Sequence, residues 1–211
     1  MKAGVTFAVI ALALIAYWYT HRAIHYPPGV LINGEPAQVM LPETSAPISY
    51  RSFSLKPLAL FSVDARVLHR RNYRYDAGAA LVPVDLALGW GPMSDEAVLD
   101  KLSISQSMRF YWYQYRLPPP IPVTEIVTHS ANMHIIPATL AVEARCKSLR
   151  AGSLVHLIGD LVEASGRGIG HWRSSLSRSD TGNGACELFY VEEITEVSPS
   201  PAPENRTLAT K

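Results

Sequence analysis

From Ala3 to Thr20 the chain carries no charged residue, and the run closes on Tyr17, Trp18 and Tyr19. A helix needs roughly 20 residues, at about 1.5 Å each, to cross the hydrocarbon layer of a bilayer. Tyr and Trp at its end suit the headgroup boundary, which accommodates an apolar ring with a polar tip. A cleaved signal peptide would need a shorter apolar core and a small-x-small site, but Ile15, Tyr17, Trp18 and Tyr19 occupy that region. Residues 1–23 therefore read as a transmembrane helix, a single-pass signal-anchor. Lys2 and the N-terminal amine stand against His21, Arg22 and His25, so the charge bias is slight. A short N-terminus with the bulk translocated is the expected topology. In a bacterium it puts the protein in the inner membrane with its C-terminal domain in the periplasm.

Beyond the anchor, residues 24–57 hold Pro27, Pro28, Gly29, Gly34, Pro36, Pro42, Pro47 and Pro57 without a helical period. They read as an extended spacer with one short strand at most. Residues 198–211 are poor in large apolar side chains and read as a disordered tail; Asn205-Arg206-Thr207 is a glycosylation sequon that needs a eukaryotic secretory route. Residues 58–197, roughly 140 in number, are enough for one hydrophobic core. The formal net charge of +1 gives no pull toward nucleic acid, which is excluded as a partner.

Within that domain the apolar pattern has a period of two. Phe61, Val63, Ala65 and Val67 alternate with Leu60, Ser62, Asp64 and Arg66, predicting a strand over 58–68 with one buried face. Residues 80–90 are apolar but interrupted by Pro83, which predicts a strand or edge segment breaking into a turn. Ser94-Asp95-Glu96 predicts the start of a short helix running to Leu102. Ser103 to Arg116 alternates as one long strand, with Met108, Phe110 and Trp112 on one side and Arg109, Tyr111, Tyr113 and Tyr115 on the other. A second helix fits 138–149, between Pro137 and Gly152, with Cys146 pointing inward. Residues 153–163 form a strand with Gly159 at a bend, 171–176 its hairpin partner, and 186–197 a last strand. The fold class is mainly β with two short helices (α+β), a small curved sheet or an OB- or SH3-like barrel behind the transmembrane helix.

Three groups of residues could carry chemistry. His129 and His134, with Ser130 and Asn132 between them, fall in an expected turn before a helix. They could share a metal ion if a third ligand converged, but no zinc motif supplies one, so no cofactor is expected. Cys186, paired with His129 or His134, would make a thiol nucleophile. Cys186 could instead form a disulfide with Cys146, or both could be buried thiols. Arg109, Tyr111, Tyr113, Tyr115 and Arg116 offer a face for a protein or a glycan, or they pack in cross-strand pairs.

The plan of anchor, small barrel and a His about sixty residues before a Cys resembles sortases. The chain reads Gly-Asn-Gly-Ala-Cys where that family has Thr-Leu-x-Thr-Cys, and carboxylates rather than an arginine follow Cys186. Trp90-Gly-Pro-Met-Ser-Asp95, His129-Ser-Ala-Asn-Met-His134 and Trp172-Arg-Ser-Ser175 with Gly184-Ala-Cys-Glu187 resemble signatures of an uncharacterised family of bacterial membrane-anchored proteins. That resemblance implies a shared fold over most of Leu58 to Ile194 and no known activity. The expected function is a membrane-tethered, non-catalytic interaction or assembly module with a protein partner in the envelope. The alternatives are a cysteine-dependent transferase or hydrolase of sortase-like plan, and a His-based metal-binding domain.

Overall fold

A computed structural model of the chain describes residues 12, 18, 22–180, 182 and 184–199. All but residues 12, 18, 22 and 23 of the anchor expected over 1–23, the sequon, and all but the first two residues of the expected tail lie outside the described residues. Among the described residues no helix is long and apolar enough to cross a membrane.

The protein is mainly β. Its strands are β1 (Ala37–Met40), β2 (Ile48–Tyr50), β3 (Phe53–Asn72), β4 (Val84–Gly89), β5 (Leu102–Ser107), β6 (Phe110–Tyr115), β7 (Ser130–Pro137), β8 (Leu154–Gly166), β9 (Gly170–Arg173) and β10 (Glu187–Glu196). Helices α1 (Glu96–Leu99), α2 (Val123–Thr128) and α3 (Leu140–Ser148) fill the connections, after a 3-10 turn at Gly91–Ser94. Pairing runs β3–β4–β7–β10–β8, and β8 returns to β3, so these five strands make a ring. Within it β7 and β10 are parallel, and the other neighbours are antiparallel.

The period-two pattern drives this curvature. Phe61, Val63, Ala65 and Val67 all turn inward on β3, and Phe61 meets Phe189 of β10 edge-to-face at 5.1 Å. Each such large side chain taken out of water contributes about 1.5–3 kcal/mol. Gly159 sits where β8 faces the β10 bulge between Val191 and Glu193. A side chain there would place its Cβ 1.9 Å from the Tyr190 carbonyl oxygen, so only glycine lets the two backbones approach.

Several local expectations are corrected. Ser103 to Arg116 is a hairpin, β5 and β6, rather than one strand. It turns at Met108 and Arg109, both with positive φ, where no glycine, proline or asparagine marks the turn. Residues 80–90 do not form an edge: Pro83 lies just before β4, needs no ladder donor there, and β4 is fully buried between β3 and β7. The first helix is capped by Asp95, whose side chain accepts from the Ala97 amide, and ends at Leu99. The second begins at Leu140 with Thr139 as cap, and Cys146 points inward as expected. A third helix, α2, precedes His129. The stretch 128–137, read as a turn, is largely the buried strand β7.

Residues 24–57 are likewise no free spacer. Leu31 and Ile32 are buried, and their amides both donate to Ser94 Oγ at 3.0 Å. Gly29 N donates to Asp95 Oδ1 at 2.8 Å, and Trp90 Nε1 to Glu35 Oε2 at 2.9 Å. Burial alone would raise the Glu96 carboxyl, but hydrogen bonds from His25, Arg66 and the Tyr26 amide hold it below its usual value. Trp90-Gly-Pro-Met-Ser-Asp95 is thus a clasp for the N-terminal segment.

Candidate active site

The site is built on β4, β7 and the start of β10, three neighbours in the ring. Register places Asp85 of β4 opposite His134 of β7, and His134 opposite Leu188 of β10, two residues past Cys186. A single fully buried carboxylate, Asp85, accepts from His134 Nδ1 at 2.9 Å and from Arg109 Nη1 at 3.0 Å. Nδ1 is held by Asp85, which leaves Nε2 outside that bond, and Cys186 lies near enough to the same imidazole to help raise it. Burial works against a charged His134, but Asp85 and Cys186 outweigh it and push the imidazole up to about 9. The Trp172 ring meets it at 4.8 Å in an edge arrangement, fixing its plane. The result is an Asp–His–Cys chain.

Cys186 is partly exposed and lines a cavity of about 310 Å³. One wall is the hairpin, with Phe110 to Tyr113; the other is the loop carrying Arg178 and Asp180. Asn132 Nδ2 lies 3.5 Å from Cys186 Sγ and donates to the Arg109 carbonyl at 3.0 Å. Its Oδ1 accepts from Gln106 Nε2 at 2.5 Å, and Gln106 Oε1 meets His69 Nδ1 at 2.9 Å. That relay turns the amide nitrogen of Asn132 toward the sulfur. The loop is tied at its base: Ser174 Oγ accepts from Leu188 N, Ser175 N donates to the Cys186 carbonyl, and Ser175 Oγ donates to Asp180.

Of the histidines singled out, His134 belongs to this chain and His129 does not. His129 ends α2, beside Glu125 and Glu35. The two share no metal-ligand group: among the described residues the one cluster of three potential ligands is His25, Glu96 and Asp100. The Cys146–Cys186 bridge is not formed, since both thiols are free and Cys146, on the inward face of α3, is sealed in the core. Burial pushes the Cys146 thiol up to about 12.

Arg109, Tyr111, Tyr113, Tyr115 and Arg116 do not make one open face. The three tyrosines turn toward the cluster of Leu68, Ala87, Met93, Val98 and Ile126, while Phe110 and Trp112 are the exposed rings. Tyr111 and Tyr113 still line the cavity. Arg109 is engaged with Asp76 and Asp85 under the Tyr73 ring.

Sequence reasoning missed Asp85 and Gln106, whereas the polar loop from Arg173 to Gly182, which it marked as able to line a site, does so through Arg178 and Asp180. A carboxylate within the apolar run Leu81 to Leu88 was the available signal for Asp85, because a lone buried charge is costly and must be partnered. Comparison with protein-family models, curated proteins and solved structures found no match.

Proposed function

We propose that this protein is a cysteine-dependent acyl transferase or hydrolase, with Cys186 as nucleophile. The Asp85–His134–Cys186 chain opening on a cavity carries this reading. It favours the cysteine-dependent alternative over the non-catalytic interaction module. With the thiol proton already carried by His134 Nε2, Cys186 sulfur bonds to a substrate carbonyl carbon. The carbon–leaving-group bond then breaks, and His134 returns the proton to the departing atom. Water or an amine cleaves the resulting thioester by the reverse relay. Asp85 holds the imidazole by Nδ1, and Asn132 Nδ2 offers a donor beside the sulfur. The exposed Phe110 and Trp112 give a protein substrate a surface to lie on. The anchor would hold this barrel-like domain at the periplasmic face of an inner membrane, which a reporter fused after Lys211 tests.

The experiment is alkylation of the full-length protein by iodoacetamide at pH 7, read by peptide mass. Cys186 should react at least about tenfold faster than a cysteine in an unstructured peptide, and His134→Gln should remove that advantage. Buried Cys146 serves as the inert internal control. A Cys186 rate equal to the peptide's and indifferent to His134→Gln overturns the proposal.

A further inference from the structure

Beside Cys186 lies a pair of groups that the Asp–His–Cys chain does not use. Glu187 is 1 % exposed and Arg178 approaches it with Nη2 to Oε1 at 3.0 Å, both on the cavity wall. The two are close enough to attract but are not aligned to bond. Arg178 Nη1 and Nη2 and Glu187 Oε2 are buried and have no hydrogen-bond partner. Arg178 is further fixed by its Nε bond to the Ser177 carbonyl and by the Phe61 ring beneath it. Buried polar atoms of this kind are costly unless a partner arrives.

Unmet donors and an unmet acceptor, side by side, define their partner's chemistry. It must present an oxygen to the guanidinium and, next to it, an N–H to the carboxylate. An amide does both. An ester or thioester has no N–H, and a carboxylate or phosphate meets Glu187 and Asp180 as like charges. The aromatic wall of Phe110 to Tyr113, with Val127 and Ala131, fits an apolar side group. Resting on the thiol chemistry proposed above, we infer that the site takes carboxamide or extended peptide substrates: Arg178 donates to a carbonyl oxygen, Glu187 accepts the N–H on the same edge, and the aromatic wall receives an adjacent apolar or aromatic side chain.

Three ligands sharing one apolar group test this on the full-length protein: 3-phenylpropanamide, methyl 3-phenylpropanoate and 3-phenylpropanoate. Binding is read at pH 8, above the value of about 7 to which burial lifts Glu187, by tryptophan fluorescence, since Trp112 lines the cavity, and by protection of Cys186 from iodoacetamide. The amide should bind about tenfold tighter than the ester or the carboxylate, the size of a hydrogen bond to a charged group. Glu187→Met, checked for an unchanged unfolding temperature, should bring amide and ester within about twofold. Equal binding of amide and ester by the wild-type protein overturns the inference, and tighter binding of the carboxylate assigns an anion site instead. If Glu187→Met does not fold, the wild-type comparison decides alone. Fluorescence binding needs no reactive thiol, so an ordinary Cys186 with an intact amide preference would sink the catalytic reading and leave this one standing.

Discussion

Asp85 is fully buried and meets two cations through one oxygen, Oδ1, toward His134 and Arg109. A carboxylate at that depth persists only because those partners replace water. The consequence shows in how stability varies with pH. His134 is raised from 6.5 to about 9, so its contribution is present in full below about pH 6.5 and is lost as pH rises through about 9. Glu187, which burial lifts from 4.5 to about 7 against the pull of Arg178, makes stability fall as pH rises from about 4.5 through 7, below the histidine's range. The interval from pH 7 to 9 therefore isolates the histidine. Urea unfolding should show the wild type losing on the order of 1–3 kcal/mol there relative to His134→Asn. Parallel curves for the two proteins would mean that Asp85 does not hold a charged imidazole.

Two elements show what a sequence pattern can and cannot carry. β3 was legible because a buried face imposes strict alternation on Phe61, Val63, Ala65 and Val67. The β5–β6 hairpin was not, because Met108 and Arg109 adopt φ of 51° and 70°, where Asn and Gly are the usual residues. Arg109 is kept in that conformation by its ion pairs to Asp76 and Asp85. Met108, 79 % exposed, has no such reason. Met108→Asn should stabilise the protein by about 0.5 kcal/mol, whereas Arg109→Gly should destabilise it by about 2 kcal/mol or more despite the easier backbone. A gain from Arg109→Gly in thermal unfolding would refute the ion-pair account. Gly159 makes the opposite case, a glycine the sequence marked for a bend or bulge and the structure places in a close approach to the bulged β10. Gly159→Ala forces β8 from β10 at the Tyr190 carbonyl, and a loss of about 3 kcal/mol or more is expected. The site was half legible for a related reason. Cys186 and His134 stand out as residue types, but their meeting depends on the parallel β7–β10 pair, a non-local contact with no local signal.

At the scale of the molecule, the unit that folds begins well before residue 58. β1 and β2 pair with β3, and β3 itself starts at Phe53. The clasp at Trp90 to Glu96 receives Gly29, Leu31 and Ile32 from the segment that composition had marked as a spacer. Its prolines terminate helices and free strands, but they do not prevent a chain from lying extended in a groove whose side chains take its amides. Removing residues 1–57 would take away Leu31, Ile32, Tyr50, Phe53 and Leu55 together, all buried. At about 1.5–3 kcal/mol each, that loss is comparable to the whole 5–15 kcal/mol by which a domain is stable. A chain starting at Arg22 should unfold cooperatively in urea and keep the rapid alkylation of Cys186. One starting at Leu58 should aggregate or expose Cys146 to alkylation within minutes. Cooperative unfolding with a protected Cys146 in the shorter chain would show that the clasp merely decorates the barrel. The loss of both properties would place the N-terminal segment inside the folding unit rather than beside it.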